Sequence, residues 1–357
     1  MKKLILTAFV VLMVLSGCGN TDKPSYEDMG MDCGTLKVFN WGEYVGEGVI
    51  SNFEKKYGVS VIYDTFDSNE SMYTKLLSGE AYDILVPSDY MIERLIEEDK
   101  LQPIDLTQVP NFEGVIEELK NPSYDEGNAY SVPYLWGSVG IIYNKTVITE
   151  AELEAEGWDI LKNPIHKGRV FMYDSERDGF MVAFKALGYS MNTSNEAEIE
   201  AAAQWLRELD VAVDPVYVTD DVIDAMTSGV KDLAVTYSGE AVYVTSQNPD
   251  MGYYVPKSGS NIWVDGFVVM KDSSCPITAH TFMNYMLEED NAIENTEYVG
   301  YTTTIQSVFD YEISEEGEFA GNEAYQPRLG YEFDETFKHN EVLKKQLSQL
   351  WVKIKAQ

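Results

Sequence analysis

The chain has 357 residues and is 45% hydrophobic, enough to bury a substantial core and, by length, to build two domains of ordinary size. Its 60 Asp and Glu against 26 Lys and Arg leave a formal charge of −34. A surface this acidic repels phosphate backbones, which excludes nucleic acid as a partner, and it concentrates cations.

The N-terminus reads as an export signal. Lys2 and Lys3 precede an apolar run, residues 4–15, that is too short for a stop-transfer helix. Leu15-Ser16-Gly17-Cys18 follows. An apolar run, Leu, two small residues and Cys resemble a bacterial lipoprotein signal. That resemblance implies removal of residues 1–17, lipid on the Cys18 thiol and a hold on the outer face of a membrane rather than across it. An ordinary secretory signal with an incidental cysteine is the alternative, and both take the chain out of the cytoplasm. Residues 18–34 read as a flexible tether. Cys33 and Cys275 either pair or stay free, since their spacing decides neither.

A regular pattern begins at residue 35. TLKVFN (35–40) reads as a strand. Val49, Ile50, Phe53 and Tyr57 recur at helical spacing, and Gly58 ends that helix. VSVIYDTF (59–66) is the next strand. Ser68 and Asn69 can cap a helix carrying Met72, Tyr73, Leu76 and Leu77. DILV (83–86) is a short buried strand closed by Pro87, and residues 90–98 are helical again. This alternation implies a parallel sheet with helices on both faces. Beyond Tyr130, SVPYLW (131–136) and VGIIYN (139–144) read as two extended segments. Helices are expected at 179–187, 196–209, 277–287 and 340–355, and strands at 232–237 and 262–270.

Hydrolytic and metal chemistry find little to work with. His166, His280 and His339 sit in no zinc-binding spacing, and no nucleophile elbow or phosphate loop occurs. Asp174-Ser175-Glu176-Arg177-Asp178-Gly179 begins like a calcium loop, but its twelfth position is Lys185. No metal or cofactor is therefore expected. What remains is a set of rings and acids in loops after strands: Trp41, Glu43 and Tyr44; Ser88, Asp89 and Tyr90; Asp174 and Asp178; Tyr237 and Glu240; Trp263 and Asp265; Tyr301. In open α/β sheets the ligand crevice lies at the carboxyl ends of the strands. Carboxylates pair with ammonium groups through charge-assisted hydrogen bonds. Aromatic faces cover methylenes and attract cations, worth about 0.5–2 kcal/mol each. Taken singly, each ring also reads as core and each acid as a helix cap.

Six stretches carry a family resemblance: VFNWGEYV (38–45), FEKKYGVSVIYDTFDSNESMYTKL (53–76), AYDILVPSDY (81–90), YSVPYLWGSVGIIYN (130–144), IWVDGF (262–267) and VGYTT (299–303). With them the chain resembles the spermidine/putrescine-binding proteins of ABC transporters over nearly the whole length after the signal. The resemblance implies an α/β fold of the type II periplasmic binding protein kind. It has two lobes, each a mostly parallel sheet flanked by helices. Residues 35–138 and 263–309 would form lobe 1, and 139–262 and 310–357 lobe 2, with hinge crossings near 136–141, 258–264 and 309–315. It implies that Trp41 and Tyr44 line the ligand's hydrocarbon and that Glu43 contacts an amine. Ser88 and Tyr90 belong to a second loop of the same lobe. Trp263 and Tyr301 are wall residues and Asp265 the principal carboxylate, with Asp178 and Tyr237 contributed by the other lobe.

Several positions depart from the family pattern. Tyr237 stands where a tryptophan is common, Gly42 and Asp89 where threonines are, and Asp178 where a glutamate often is. Ser175 aligns with an aspartate, with Asp174 beside it as a substitute, and Lys338 falls near a glutamine. The implied function is capture of spermidine or putrescine outside the cell and delivery to a membrane permease, by a lipid-anchored monomer without catalysis. Another cationic solute such as thiamine, or a carboxylate-based hydrolase using Asp174 and Asp265, are the competing readings.

Overall fold

The computed structural model describes residues 25–219 and 222–356. The expected signal peptide and Cys18 lie outside these residues.

Ten strands, β1 (Thr35–Trp41), β2 (Ser60–Phe66), β3 (Ile84–Leu85), β4 (Ser131–Asn144), β5 (Val170–Tyr173), β6 (Val216–Val218), β7 (Leu233–Tyr237), β8 (Met251–Tyr254), β9 (Ile262–Val269) and β10 (Thr302–Thr303), form one continuous sheet among the described residues. Its path runs β2-β1-β3-β9-β4-β7-β5-β6, with β8 and β10 each paired to β4. The expected parallel pairing holds at the two ends, where β1 pairs β2 and β3, and β5 pairs β6 and β7. In the middle, β3 with β9, β9 with β4, and β4 with β7 and β8 run antiparallel, so the sheet is mixed.

The middle is set by β4, whose fourteen residues are all buried. A strand covered on both faces reads as an unbroken apolar run, which hides any alternation. The two extended segments expected there are one strand. Its N-terminal half, as far as Ser138, pairs β9, and from Val139 it pairs β7 and β8. The small residues Gly137 and Ser138 do not break it. A Cβ at Gly137 would stand 2.5 Å from both the Trp263 ring and the Ser238 hydroxyl, so glycine lets these groups crowd the strand where it changes partners.

Helices pack on both faces. Val49–Tyr57 buries Phe53, whose ring meets Phe282 and Tyr285 edge-on, and it stops at Gly58, which adopts φ +68°. On the other side Glu176–Ala186, Glu196–Val213 and Glu341–Lys355 pack Phe180, Phe184, Leu206 and Trp351 into one cluster.

Residues 25–34, the described part of the expected tether, are fastened to the body. Cys33 and Cys275 form a disulfide. Asp32 accepts hydrogen bonds from the backbone N–H of Ile277 and Thr278 and from the Thr278 hydroxyl, capping helix Pro276–Met286 from outside it.

Candidate ligand-binding site

The carboxyl ends of β1, β3 and β7 and the first half of the antiparallel β9 meet in one place. Trp41 closes β1, Ser88 follows β3, Tyr237 closes β7, and Trp263 and Asp265 lie on β9. Five rings join there in a row. Trp41 lies 6.4 Å from Tyr44, Tyr44 5.8 Å from Tyr301, Tyr301 4.7 Å from Trp263, and Trp263 6.1 Å from Tyr237, measured between ring centres. The indole N–H of Trp41 donates to the Val86 carbonyl at 2.9 Å, which fixes that ring. Two glycines allow the row to close. Gly137 admits Trp263, and a Cβ at Gly239 would come within 2.1 Å of the Tyr301 ring.

A carboxylate stands at each side of the row. The Tyr44 hydroxyl donates to Oδ2 of Asp265 at 2.6 Å, and the Tyr237 hydroxyl donates to Oδ2 of Asp178 at 3.0 Å. Asp265 is 4% and Asp178 3% exposed. In each, the other oxygen, Oδ1, is buried with no hydrogen-bond partner among the described residues. The indole N–H of Trp263 is buried and unpartnered as well. No protein cation forms an ion pair with Asp265 or Asp178 among the described residues. Burial pushes the Asp265 carboxyl up to about 6, with the Ser88 and Tyr44 hydroxyls opposing. Burial raises Asp178 too, against the pull of Ser175, Tyr237 and Arg177. The phenols of Tyr44, Tyr237 and Tyr301 are held well above their ordinary value, first by burial and then by the neighbouring carboxylates, so they stay protonated donors.

The structure thus brings together Trp41, Tyr44, Trp263, Asp265, Tyr301, Tyr237 and Asp178. Ser88 adjoins them: it forms an isolated bridge with Asp265, and its hydroxyl accepts from the Asn69 amide at 3.0 Å. Glu43 stands apart, exposed, at φ +50°, with its carboxylate accepting from the Tyr298 hydroxyl. The hydroxyl of Tyr90 faces Glu70 at 3.3 Å, and its ring carries the Arg177 guanidinium 3.9 Å above its centre. Asp174 pairs with Lys355. Lys338 is exposed. The surface depressions beside Glu341, Lys344 and Val352, and beside Pro110, Asn111 and Leu287, contain no residue of the row.

A model of the bacterial extracellular solute-binding protein family matches residues 48–324. The chain belongs to this family. Among curated relatives of this solute-binding protein, the spermidine/putrescine-binding periplasmic protein of Salmonella typhimurium is 34% identical over 274 residues, 76% of this chain and 78% of the relative. Among solved structures, a putative spermidine/putrescine ABC transporter protein from Listeria monocytogenes aligns with a TM-score of 0.80 at 35% identity, covering 90% of this chain and 99% of the other. The spermidine/putrescine transporter substrate-binding protein of Streptococcus pneumoniae aligns at 0.79 and 33%, covering 91% and 99%. The fold is that of the type II periplasmic binding proteins.

Three further charged residues stand at the site of this solute-binding protein: Asp89 and Glu240, which the sequence placed among the candidate acids without a role, and Arg177, which it did not single out. Asp89 is fully buried, and burial together with the Asp265 charge holds its carboxyl well above the usual range. Its Oδ1 accepts from the Tyr90 N–H at 2.6 Å and its Oδ2 from the Val264 N–H at 3.3 Å. The Glu240 oxygens accept from the Tyr301 hydroxyl at 3.1 and 3.2 Å. Arg177 contacts Glu70 at 3.4 Å. Asp89, Asp178 and Glu240 each lie in the first turn of a helix, where an acid reads simply as a partner of the helix dipole.

Proposed function

We propose that this solute-binding protein captures a polyamine, spermidine or putrescine, between two lobes and hands it to the permease of an ABC transporter, without chemical turnover. The observation that carries the reading is Asp265: a buried carboxylate with one oxygen unpartnered, beside aromatic faces and away from any paired protein cation. Leaving an anion so placed is unfavourable unless a cation arrives with the ligand. An alkylammonium supplies the charge, and its methylenes suit the rings of Tyr301 and Trp263.

The lobes in this reading are residues 35–138 with 263–309, and 139–262 with 310–357. The change of partners along β4 at Ser138 and Val139 supports a hinge there. Rings from both parts meet in the row, so ligand entry requires the lobes to separate and capture brings them together. The signal sequence and Cys18 support attachment by lipid to the outer face of the cell membrane, with the protein working as a monomer. Membership of a solute-binding family supports binding without catalysis.

Calorimetric titration with putrescine, spermidine and thiamine tests this reading. Saturable one-to-one binding of a polyamine at micromolar or tighter affinity is expected. Silence toward both polyamines, or tighter binding of thiamine, contradicts it.

A further inference from the structure

Resting on that reading, we infer that the slot is built for a diamine and discriminates against a triamine, and that Arg177 is the residue that sets this limit.

The inference starts from a census of carboxylate oxygens. Only two at the row, Oδ1 of Asp265 and Oδ1 of Asp178, are buried and unpartnered among the described residues. They belong to the carboxylates tied to Tyr44 and Tyr237, with Tyr301 and Trp263 between those two rings. Two open oxygens separated by aromatic faces match two terminal ammonium groups separated by methylenes.

The other acids around the row are committed. Both oxygens of Asp89 accept backbone N–H groups. Glu240 faces the hydroxyl of Tyr301, a ring in the middle of the row. Glu43 is turned out to Tyr298, and Asp174 is paired with Lys355.

The remaining niche for a cation is the Tyr90 ring beside Glu70, and the protein fills it. Arg177 lies 3.9 Å over that ring and 3.4 Å from Glu70, with its side chain only 15% exposed. Lys344 approaches the same Glu70 oxygen at 3.0 Å. A third ammonium would therefore meet a like charge on the aromatic face and a carboxylate already paired. Like charges brought together in a shielded site are a strong means of rejecting the wrong partner.

The test is calorimetry with putrescine and spermidine on the wild type, Arg177→Gln and Arg177→Lys. The wild type is expected to bind putrescine at least about tenfold more tightly than spermidine. Arg177→Gln, which uncovers the Tyr90 ring and leaves Glu70 with Lys344 as its one remaining cation partner among the described residues, is expected to narrow that ratio at least about fivefold, and Arg177→Lys to keep it. Equal or tighter binding of spermidine by the wild type overturns the inference while leaving polyamine capture intact. So does an unchanged ratio in Arg177→Gln. Failure of the wild type to bind either amine overturns both. The wild-type ratio needs no variant, so the inference stays exposed even if a substitution prevents folding.

Discussion

Asp265 concentrates the chemistry of the site in one side chain. Its folded carboxyl is raised from 3.8 to about 6, because burial penalises the charge more than two hydroxyls stabilise it. For such a group the stability contribution is complete below the unfolded value and is lost as pH rises through the folded one. The unliganded protein is therefore expected to lose stability from this group between pH 4 and 6, and thermal melts of Asp265→Asn should lack that part of the profile. At neutral pH the same substitution should raise the melting temperature of the empty protein by a few degrees, while removing polyamine binding. A cation prefers the ionised carboxylate, so wild-type affinity should be flat between about pH 7 and 8, where the amines are still charged, and fall about tenfold per pH unit below 6, with proton release on binding near pH 6. Calorimetry in buffers of different ionisation enthalpy reads that proton directly. An affinity independent of pH would show that Asp265 is not the group that meets the amine.

At the scale of elements, the contact between Tyr301 and the helix Ser238–Gln247 controls how the row closes. Gly239→Ala places a methyl group within 2.1 Å of the Tyr301 ring, too close to be accommodated without moving the ring or the helix. Ligand affinity is expected to fall at least about tenfold, chiefly through faster dissociation measured by stopped flow. The disulfide acts elsewhere. It closes a loop of 242 residues between the segment before β1 and helix Pro276–Met286. Reduction, or Cys33→Ser, is expected to destabilise the protein by about 2–5 kcal/mol in denaturant melts and to leave ligand affinity nearly unchanged.

These elements also show what sequence can and cannot disclose. Strands β1, β2, β7 and β9 and the long helices were legible because burial of one face or of a whole strand leaves an apolar pattern. The continuity of β4 was not, since Gly137 and Ser138 look like a break until Trp263 and Ser238 are seen packed against them. The row residues were legible through the motifs that hold them. The contacts of Arg177 and Glu43 were not, because they come from residues far along the chain: Glu70 is 107 positions from Arg177, and Tyr298 255 from Glu43. The Cys33–Cys275 bond was open for the same reason.

Across the whole molecule, ion pairs beside the row tie together helices that lie far apart in the chain. Glu70 pairs with Arg177 and Lys344, and Arg94 pairs with Glu341 at 2.7 Å, joining helices Asn69–Leu77 and Asp89–Glu97 to Glu176–Ala186 and Glu341–Lys355. Partly exposed pairs of this kind contribute about 1 kcal/mol each and weaken with salt. Lys344→Ala is therefore expected to favour the open form modestly, seen as a larger radius of gyration in solution scattering without ligand, and to lose that difference when ligand is saturating. No difference between the two proteins in either state would remove these pairs from the closing mechanism.

The most direct measurement is a crystal structure of the complex with putrescine. One ammonium nitrogen is expected about 2.7–2.9 Å from Asp265 Oδ1 and the other at Asp178 Oδ1, with the methylenes against Tyr301 and Trp263. A diamine bound outside the row, or a row occupied while Asp265 Oδ1 still lacks a cationic partner, contradicts the account.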